Sequence, residues 1–207
     1  MVKMLQKTFF LLSIALLLFV GISADIFAYP KKEGKSMLET ERLMLREFIM
    51  EDEENLLKLL SDKDVMHFSV SGSLDIGGVR NFLQKTFQSY KTYGYGKWAV
   101  ILKETGEFIG ACGIHNVKID GEWLIEVGYR LAKHHWGKGF ATEAARAIRD
   151  YGFKTLKLSC LVSCMHPDNI ASIRVAEKNG MSYWRNGKFF GVACLVYGIR
   201  RDTWAIL

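Results

Sequence analysis

The amino-acid sequence predicts one α/β (α+β) domain: a mixed, mostly antiparallel central sheet with about four helices and a central β-α-β unit. Three strand-like runs, 97–103, 108–117 and 123–132, are joined by Glu-Thr-Gly and Asp-Gly, which are hairpin turn signals. A helical pattern at 141–153 then leads to an apolar run at 158–165. Two strands that flank such a helix are expected to be parallel, with a right-handed crossover. A chain of 207 residues has room for one ordinary domain.

The first part of the pattern is a strand followed by two helices. Apolar and polar residues alternate within 38–48, as they do in a half-buried strand. Acidic residues crowd 51–54, and the helix dipole favours negative charge in a first helical turn. A second helix is predicted after Gly78, with its end at Gly94.

The last part of the pattern adds one helix and two strands. The helix covers about 170–179 and stops before Gly180, because glycine is the usual residue just past a helix C-terminus. Two strands, around 182–185 and 190–200, complete the predicted sheet.

The residues before the first strand look like a targeting segment. Lys3 and Lys7 precede an apolar run at 8–21, and small residues follow as far as Ala28. This order is typical of a secretory signal peptide, and the run is shorter than the roughly 20 residues of a membrane-spanning helix. We therefore divide the chain into a leader with its linker, residues 1–36, and a domain at 37–207.

Charge and cysteine usage limit the classes of function. The formal net charge is +6, and the leader and linker contribute half of it. The domain has no run of Lys and Arg with interleaved aromatics, so nucleic acid is not expected as a partner. The cysteines lie in apolar runs without a C-x-x-C pair, which predicts buried thiols and no metal site. They are Cys112, Cys160, Cys164 and Cys194.

The chemistry is concentrated in one strand, loop and helix at 126–148. Gly137 and Gly139 lie in the loop, and the helix begins near Ala141, so backbone N–H groups converge on one spot. Such a spot binds phosphate, and glycine lets the backbone approach the ligand closely. A Walker loop is excluded because the chain has no G-x-x-x-x-G-K-[ST] string. A dinucleotide fingerprint is excluded because its third glycine position holds Thr142.

The loop resembles the pyrophosphate-binding motif of the GNAT acetyltransferases, in the form W-G-x-G-x-A-T-E-A found in the RimJ/RimL-like branch. The resemblance continues in family order through the strand at 38–48 and the segment HPDNIASIRVAEKNGM. It covers about residues 38–185. One departure is His134, which stands where the general pattern has Arg or Gln. The resemblance implies that a row of backbone amides holds the pyrophosphate of acetyl-CoA. These amides belong to Trp136, Gly137, Lys138, Gly139, Phe140 and Ala141.

The resemblance also implies where the rest of the cofactor binds. Two neighbouring strands splay apart in this family, and unpaired backbone groups hold the pantetheine arm. Here those groups come from Gly128, Tyr129, Arg130 and Leu131, with an N–H near Tyr129 or Arg130 for the thioester oxygen. Asn169 matches a residue that touches pantetheine, and it also suits a helix cap.

Two residues are candidates for proton transfer. Glu126 is the candidate base, because burial within an apolar strand is expected to raise the pKa of its carboxyl. Alternatives are Glu122, Asp120 and His115. Ser172 is the candidate acid, since it matches the serine of the N-x-x-S segment.

The acceptor is left open by the sequence. The RimJ/RimL-like form indicates a protein N-terminal amine, and small amines such as aminoglycosides and polyamines are alternatives. Gly72, Gly77 and Gly78 suggest a flexible lip around the acceptor site. A non-catalytic acyl-CoA-binding module is the alternative outside enzyme classes, and homodimerisation stays open. We expect the domain in the cytoplasm, where acetyl-CoA is found, against export or membrane anchoring through residues 1–28.

Overall fold

A computed structural model describes residues 36–206 of the chain. The predicted leader therefore lies outside the described residues, apart from Ser36 at its end. The strands are β1 (Ser36–Glu39), β2 (Leu43–Glu47), β3 (Lys97–Leu102), β4 (Phe108–Ile119), β5 (Glu122–Leu131), β6 (Cys160–Met165), β7 (Ser182–Phe189) and β8 (Val192–Arg200). The α-helices are α1 (Glu53–Ser61), α2 (Ile76–Tyr93), α3 (Phe140–Lys154), α4 (Ile170–Lys178) and α5 (Arg201–Trp204).

One mixed sheet contains all eight described strands, in the order β1-β2-β3-β4-β5-β6-β8-β7. The pairing is antiparallel everywhere except between β5 and β6, which are parallel and connected through α3. The predicted fold class, including the central β-α-β unit, is therefore confirmed. The structure adds the short C-terminal helix α5, which the sequence pattern does not predict.

The opening strand of the prediction is two strands in the structure. The chain turns at Thr40, whose hydroxyl accepts a hydrogen bond of 3.0 Å from the Leu43 N–H, so β1 and β2 form a hairpin. An alternating pattern cannot reveal a turn without glycine or proline. Ser36 pairs with Arg46, so the sheet begins one residue before the predicted domain boundary at residue 37.

The predicted lip is partly helix. Gly77 and Gly78 lie in the first turn of α2, where the Asp75 carboxylate caps the Gly78 N–H at 2.8 Å. Gly72 stays in the connection between α1 and α2. The Gly94 end of α2 is as predicted, in the left-handed conformation with φ of 71°.

Helix α3 anchors the core beneath β4 and β5. Ala144 and Ile148 are fully buried, on one face at i, i+4 spacing. Gly152 continues this face, where an added Cβ would lie 2.9 Å from Leu161 and 3.1 Å from Ile114. Full burial of a side chain such as Ile148 stabilises the fold by roughly 1.5–3 kcal/mol. This packing fixes the N-terminal end of α3 against the sheet.

No helix within residues 36–206 is both long and apolar enough to cross a membrane.

Candidate active site

The sheet opens between β5 and β6. Within the described residues, Glu126 opposite Val162 is the register pair that joins these strands. One residue further, the Ser163 hydroxyl donates a 2.8 Å hydrogen bond to the Val127 carbonyl. From Gly128 onward, the β5 edge that faces β6 has no strand partner in the described chain. Parallel strands that separate in this way leave backbone groups available to a ligand.

The glycine loop lies just past this open edge. Gly137 and Gly139 have φ angles of 75° and 84°, in the left-handed region, and Gly139 is the N-cap residue of α3. Among the described residues, no partner accepts from the backbone N–H groups of Gly137, Lys138, Gly139, Phe140 or Ala141. Several free N–H groups beside a helix N-terminus form an anion site.

Trp136 ties the glycine loop to the end of β5. The Trp136 backbone N–H is already used, because it donates to the Lys133 carbonyl at 3.0 Å. The Trp136 indole N–H donates to the Leu131 carbonyl at 2.7 Å, so that carbonyl is also occupied. The Trp136 backbone N–H therefore has a partner within the loop, whereas the predicted contacts of Leu131 and of the other amides with the cofactor stay predictions. The sequence could not show that Trp136 ties the loop to the end of its strand.

Arg42 braces the glycine loop from the opposite side. Its guanidinium donates to the Lys138 carbonyl at 3.0 Å and to the Glu143 carboxylate at 2.7 Å. Burial raises the pKa of Glu143, but hydrogen bonds from Thr40 and Arg42 outweigh burial and leave the pKa below its ordinary value. An ionised Glu143 thus holds Arg42, and Arg42 in turn binds the Lys138 carbonyl. The sequence analysis missed this brace, although an acidic first-turn residue was visible.

His134 stands at the position of the expected Arg or Gln, and its side chain lies beside Glu107. Its Nε2 atom lies 3.1 Å from a Glu107 carboxylate oxygen, and the buried His135 places its own Nε2 at the same distance from that oxygen. The candidate ligand atoms of these three residues all lie within 4.8 Å of one another. The prediction that the domain has no metal site was based on the cysteine spacing, so it did not include this cluster of Glu107, His134 and His135. It stays a prediction.

Glu126 and His115 form the polar pair at the point where β5 and β6 separate. They are cross-strand neighbours on β4 and β5, and a Glu126 carboxylate oxygen lies 3.0 Å from His115 Nε2. The other oxygen accepts the Cys164 N–H at 3.0 Å, which ties the carboxylate to β6. His115 Nδ1 is buried and has no hydrogen-bond partner within the described residues. Gly128 faces this ring, since an added Cβ would lie 2.9 Å from His115 Cε1.

The pKa of Glu126 is shifted in the direction opposite to the prediction. Burial raises it, but the charge and hydrogen bond of His115, the Cys164 N–H and the charge of Lys97 together bring it below its ordinary value. Burial and the Lys97 charge also lower the pKa of His115, against the opposing effect of Glu126. At neutral pH the pair is therefore an ionised carboxylate and a neutral imidazole that donates its Nε2 proton. The sequence pattern predicted that Glu126 is buried, but it did not predict the groups that lower the pKa of its carboxyl.

Two of the three alternative bases lie away from Glu126. Asp120 and Glu122 lie at the β4–β5 hairpin, where both bind Arg185, at 2.8 and 2.9 Å. Glu122 is four residues from Glu126, which is about 13 Å along an extended strand. Of the three alternatives, only His115 lies beside Glu126.

Tyr129 and Ser172 meet on the other face of the sheet. Burial raises the pKa of Tyr129 to about 12, and Ser172 is the group that opposes this rise. The Tyr129 hydroxyl has no hydrogen bond of ordinary geometry within the described chain, so Ser172 is a neighbour and not a firm partner. Asn169 caps α4 through a 3.1 Å hydrogen bond from the Ser172 N–H, which establishes its role as a helix cap. Its pantetheine contact stays a prediction.

A second opening lies on the α1–α2 side of the sheet. It is a pocket of about 210 Å³ including its mouth. The connection between α1 and α2 reaches over this region, because Arg130 donates to the Ser69 hydroxyl at 3.0 Å and Phe68 stacks on His166 at 5.4 Å. The lining residues are Leu60, Phe82, Lys97, Ala111, Tyr129 and Arg130.

Comparison with known proteins identifies the family. The profile described as "Acetyltransferase (GNAT) domain" matches residues 42–182. A Bacillus subtilis (strain 168) protein, "Uncharacterized protein YkkB", is 40% identical over 79% of this chain and 95% of its own length. The chain belongs to the GNAT acetyltransferase family. It is also 34% identical to "Uncharacterized N-acetyltransferase p20" of Bacillus licheniformis, over 72% of this chain and 83% of that protein.

Solved structures of other acetyltransferases have the same fold as this GNAT enzyme. An acetyltransferase from Agrobacterium tumefaciens str. C58 superposes with a TM-score of 0.70 at 32% identity, over 83% of this chain and 99% of that one. Two coenzyme A complexes share the fold at 17% identity and a TM-score of 0.68. One is RimL, a ribosomal L7/L12 alpha-N-protein acetyltransferase, and covers 82% of this chain and 99% of its own. The other is aminoglycoside acetyltransferase AAC(6')-Ib, with 79% and 98%.

Proposed function

We propose that this enzyme transfers the acetyl group of acetyl-CoA to a primary amine by direct attack, in the opening between β5 and β6. The observation that carries the proposal is the order of three features along β5 and the loop after it. The free amides of the glycine loop, the unpaired β5 edge and the Glu126–His115 pair follow one another along the same strand and loop. An anion site, an extended-chain site and a proton acceptor in this order suit the pyrophosphate, the pantetheine and the thioester of one cofactor.

In this proposal the cofactor binds mainly through backbone groups. The pyrophosphate accepts hydrogen bonds from amides between Gly137 and Ala141, close to the exposed Lys138. The pantetheine lies along β5 from Gly128 to Leu131, as an added strand does. An amide near Tyr129 or Arg130 then donates to the thioester oxygen.

We propose that the Glu126–His115 pair removes the proton of the attacking amine. Glu126 accepts the Nε2 proton of His115 and so fixes the tautomer in which Nδ1 carries a lone pair. That arrangement makes Nδ1 the proton acceptor and Glu126 the residue that orients it and stabilises the imidazolium. Gly128 is the strand residue against the ring, and its missing side chain lets the ring pack closely on β5, since an added Cβ would lie 2.9 Å from His115 Cε1.

The leaving thiolate of CoA needs a proton as the C–S bond breaks. We propose that Ser172 supplies it, with Tyr129 as its neighbour on that face. A tyrosine with a pKa of about 12 stays protonated at neutral pH, so its hydroxyl can replace the proton that the serine gives up.

The acceptor and the compartment also remain proposals. RimL and the aminoglycoside enzyme are equally distant from this chain, so their likeness does not choose between a protein N-terminus and a small amine. The RimJ/RimL-like assignment rests on the loop motif. We place the working domain in the cytoplasm, because acetyl-CoA is a cytoplasmic metabolite.

The test is a melting curve with and without acetyl-CoA. A ligand at a hundredfold excess over Kd stabilises the native state by about 2.7 kcal/mol, or roughly 5–10 °C for a domain of this size. Gly137→Ala should remove this shift. Gly106→Ala is the matched control, because Gly106 has a similar φ of 72° against 75° and both positions have open space around them. No shift for the wild-type protein at millimolar acetyl-CoA would overturn the proposal.

A further inference from the structure

Two cations share the pocket on the α1–α2 side. Lys97 and Arg130 are half-buried in its wall, and the other lining side chains are apolar or aromatic. The pocket is a narrow opening, because its volume of about 210 Å³ includes open solvent at the mouth. Its walls can therefore contact only a small group of a ligand.

Neither cation has a carboxylate partner within the described residues. Arg130 donates to the Ser69 hydroxyl at 3.0 Å, and the Lys97 ammonium lies 5.7 Å from the centre of the Phe82 ring. Both contacts are to neutral groups. Lys97 and Arg130 also repel each other, and burial together with this repulsion lowers the pKa of Lys97 to about 8.

Glu126 cannot serve as the counterion of both. Its charge favours the protonated forms of Lys97 and Arg130, but it reaches them only through space. Its two oxygens are already held by His115 Nε2 and the Cys164 N–H, each at 3.0 Å. Two cations against one committed anion leave the site with a net positive charge. Half-buried charge without a partner is unfavourable, and a ligand that brings an anion relieves it.

The same charges select against other acceptors. An aminoglycoside or a polyamine brings several ammonium groups, and a positive pocket raises the free energy of such a ligand. A guanidinium and an ammonium around one small space instead suit a carboxylate, which can accept two hydrogen bonds from arginine.

We propose that the acceptor is a small primary amine with a carboxylate, which Arg130 and Lys97 bind while the amine faces the Glu126–His115 pair. This inference rests on the proposed function and adds the class of substrate. Arg130 and Lys97 are then specificity-determining residues that contact the acceptor.

The experiment measures CoA release with matched probes. The ω-amino carboxylates from glycine to 6-aminohexanoate are compared with their carboxamides, and spermidine, kanamycin and a short peptide with N-terminal Glu complete the panel. For at least one pair, kcat/KM should be tenfold or more higher for the carboxylate. Arg130→Gln and Lys97→Met should each reduce that ratio to about twofold or less, whereas Arg130→Lys keeps part of it. Lys85→Met is the control, since Lys85 is an exposed cation on α2 outside the pocket.

The outcomes separate this inference from the proposed function. A protein that binds acetyl-CoA but acetylates no ω-amino carboxylate, or prefers carboxamides or polyamines, overturns the inference alone. Preference for the acidic peptide over every small carboxylate overturns the small-molecule assignment. A protein without an acetyl-CoA melting shift fails the earlier test. Circular dichroism of each variant shows whether a lower carboxylate-to-carboxamide ratio of kcat/KM is caused by misfolding. If Arg130→Gln does not fold, the ratio measured for Arg130→Lys tests the role of Arg130.

Discussion

Replacing Glu126 by Gln tests the proton-transfer site and leaves the shape of the side chain unchanged. The Gln carbonyl can still accept the Cys164 N–H, which Glu126 binds at 3.0 Å. The Gln amide is a donor where the carboxylate accepted from His115 Nε2. The imidazole must then move its proton to Nδ1, which is buried with no acceptor in the described chain.

The expected loss of stability follows from one charge-assisted hydrogen bond. Such a bond contributes about 1.5–3 kcal/mol, and a domain of this size loses roughly 2–4 °C in Tm for each kcal/mol. We expect the Tm of Glu126→Gln to fall by roughly 3–12 °C, with the fold retained. Thermal unfolding followed by circular dichroism measures this change.

The expected loss of activity is larger. A positioned base contributes about a hundredfold to ten-thousandfold to the rate, and Glu126→Gln turns the His115 lone pair away from the amine. We therefore expect kcat to fall by at least a hundredfold, while the melting shift with acetyl-CoA stays within 2 °C of the wild-type shift, by the same rough scale of Tm against free energy.

A control on the same strand separates charge from chemistry. Glu122→Gln removes a carboxylate that is 63% exposed and paired with Arg185 at the hairpin. An exposed pair of this kind contributes about 0–1 kcal/mol, so its rate and Tm should stay near wild type. If Glu126→Gln shows the loss of stability but acetylates within threefold of the wild-type rate, Glu126 only ties β5 to β6 and the proposed pair is wrong.

Three further predictions use other parts of the site. Ser172→Ala should lower kcat without changing the affinity for acetyl-CoA in equilibrium binding; an unchanged kcat refutes the proposed acid. Glu126 and His115 both have lowered pKa values, so the folded state binds fewer protons than the unfolded state. Stability should fall as pH drops from about 6.5 through 4.5, and His115→Asn should flatten the upper part of this fall in urea titrations. A chain that begins at Lys32, before β1, should acetylate as fast as the full chain; a native N-terminus at residues 24–29, found outside the cytoplasm by sequencing, contradicts the proposed compartment.

The sequence predicted the fold where local signals were strong. Turn residues such as Asp120 and Gly121 marked a hairpin, and glycine marked the end of α2 at Gly94. It missed the turn at Thr40, because a threonine that accepts a backbone N–H leaves no distinctive pattern. It also missed α5, since a helix of four residues is too short for periodicity.

Only the part of the candidate site that is local in sequence could be predicted. The glycine loop is local in sequence, so its free amides could be anticipated. The state of Glu126 depends on His115 from another strand and Cys164 from a third, and one sequence does not show these neighbours. Lys97 and Arg130, which have no carboxylate partner in the described part of the chain, come from β3 and β5, far apart in the sequence. Their meeting in one pocket is a property of the folded sheet.

A crystal structure of the protein with acetyl-CoA bound tests the proposed cofactor site directly. The pyrophosphate should lie within hydrogen-bond distance of amides between Gly137 and Ala141. The pantetheine should lie between β5 and β6, with the thioester beside Gly128 and His115 Nδ1 facing the acetyl group. A cofactor bound elsewhere, or a thioester on the far side of the sheet from His115, would contradict the proposed site.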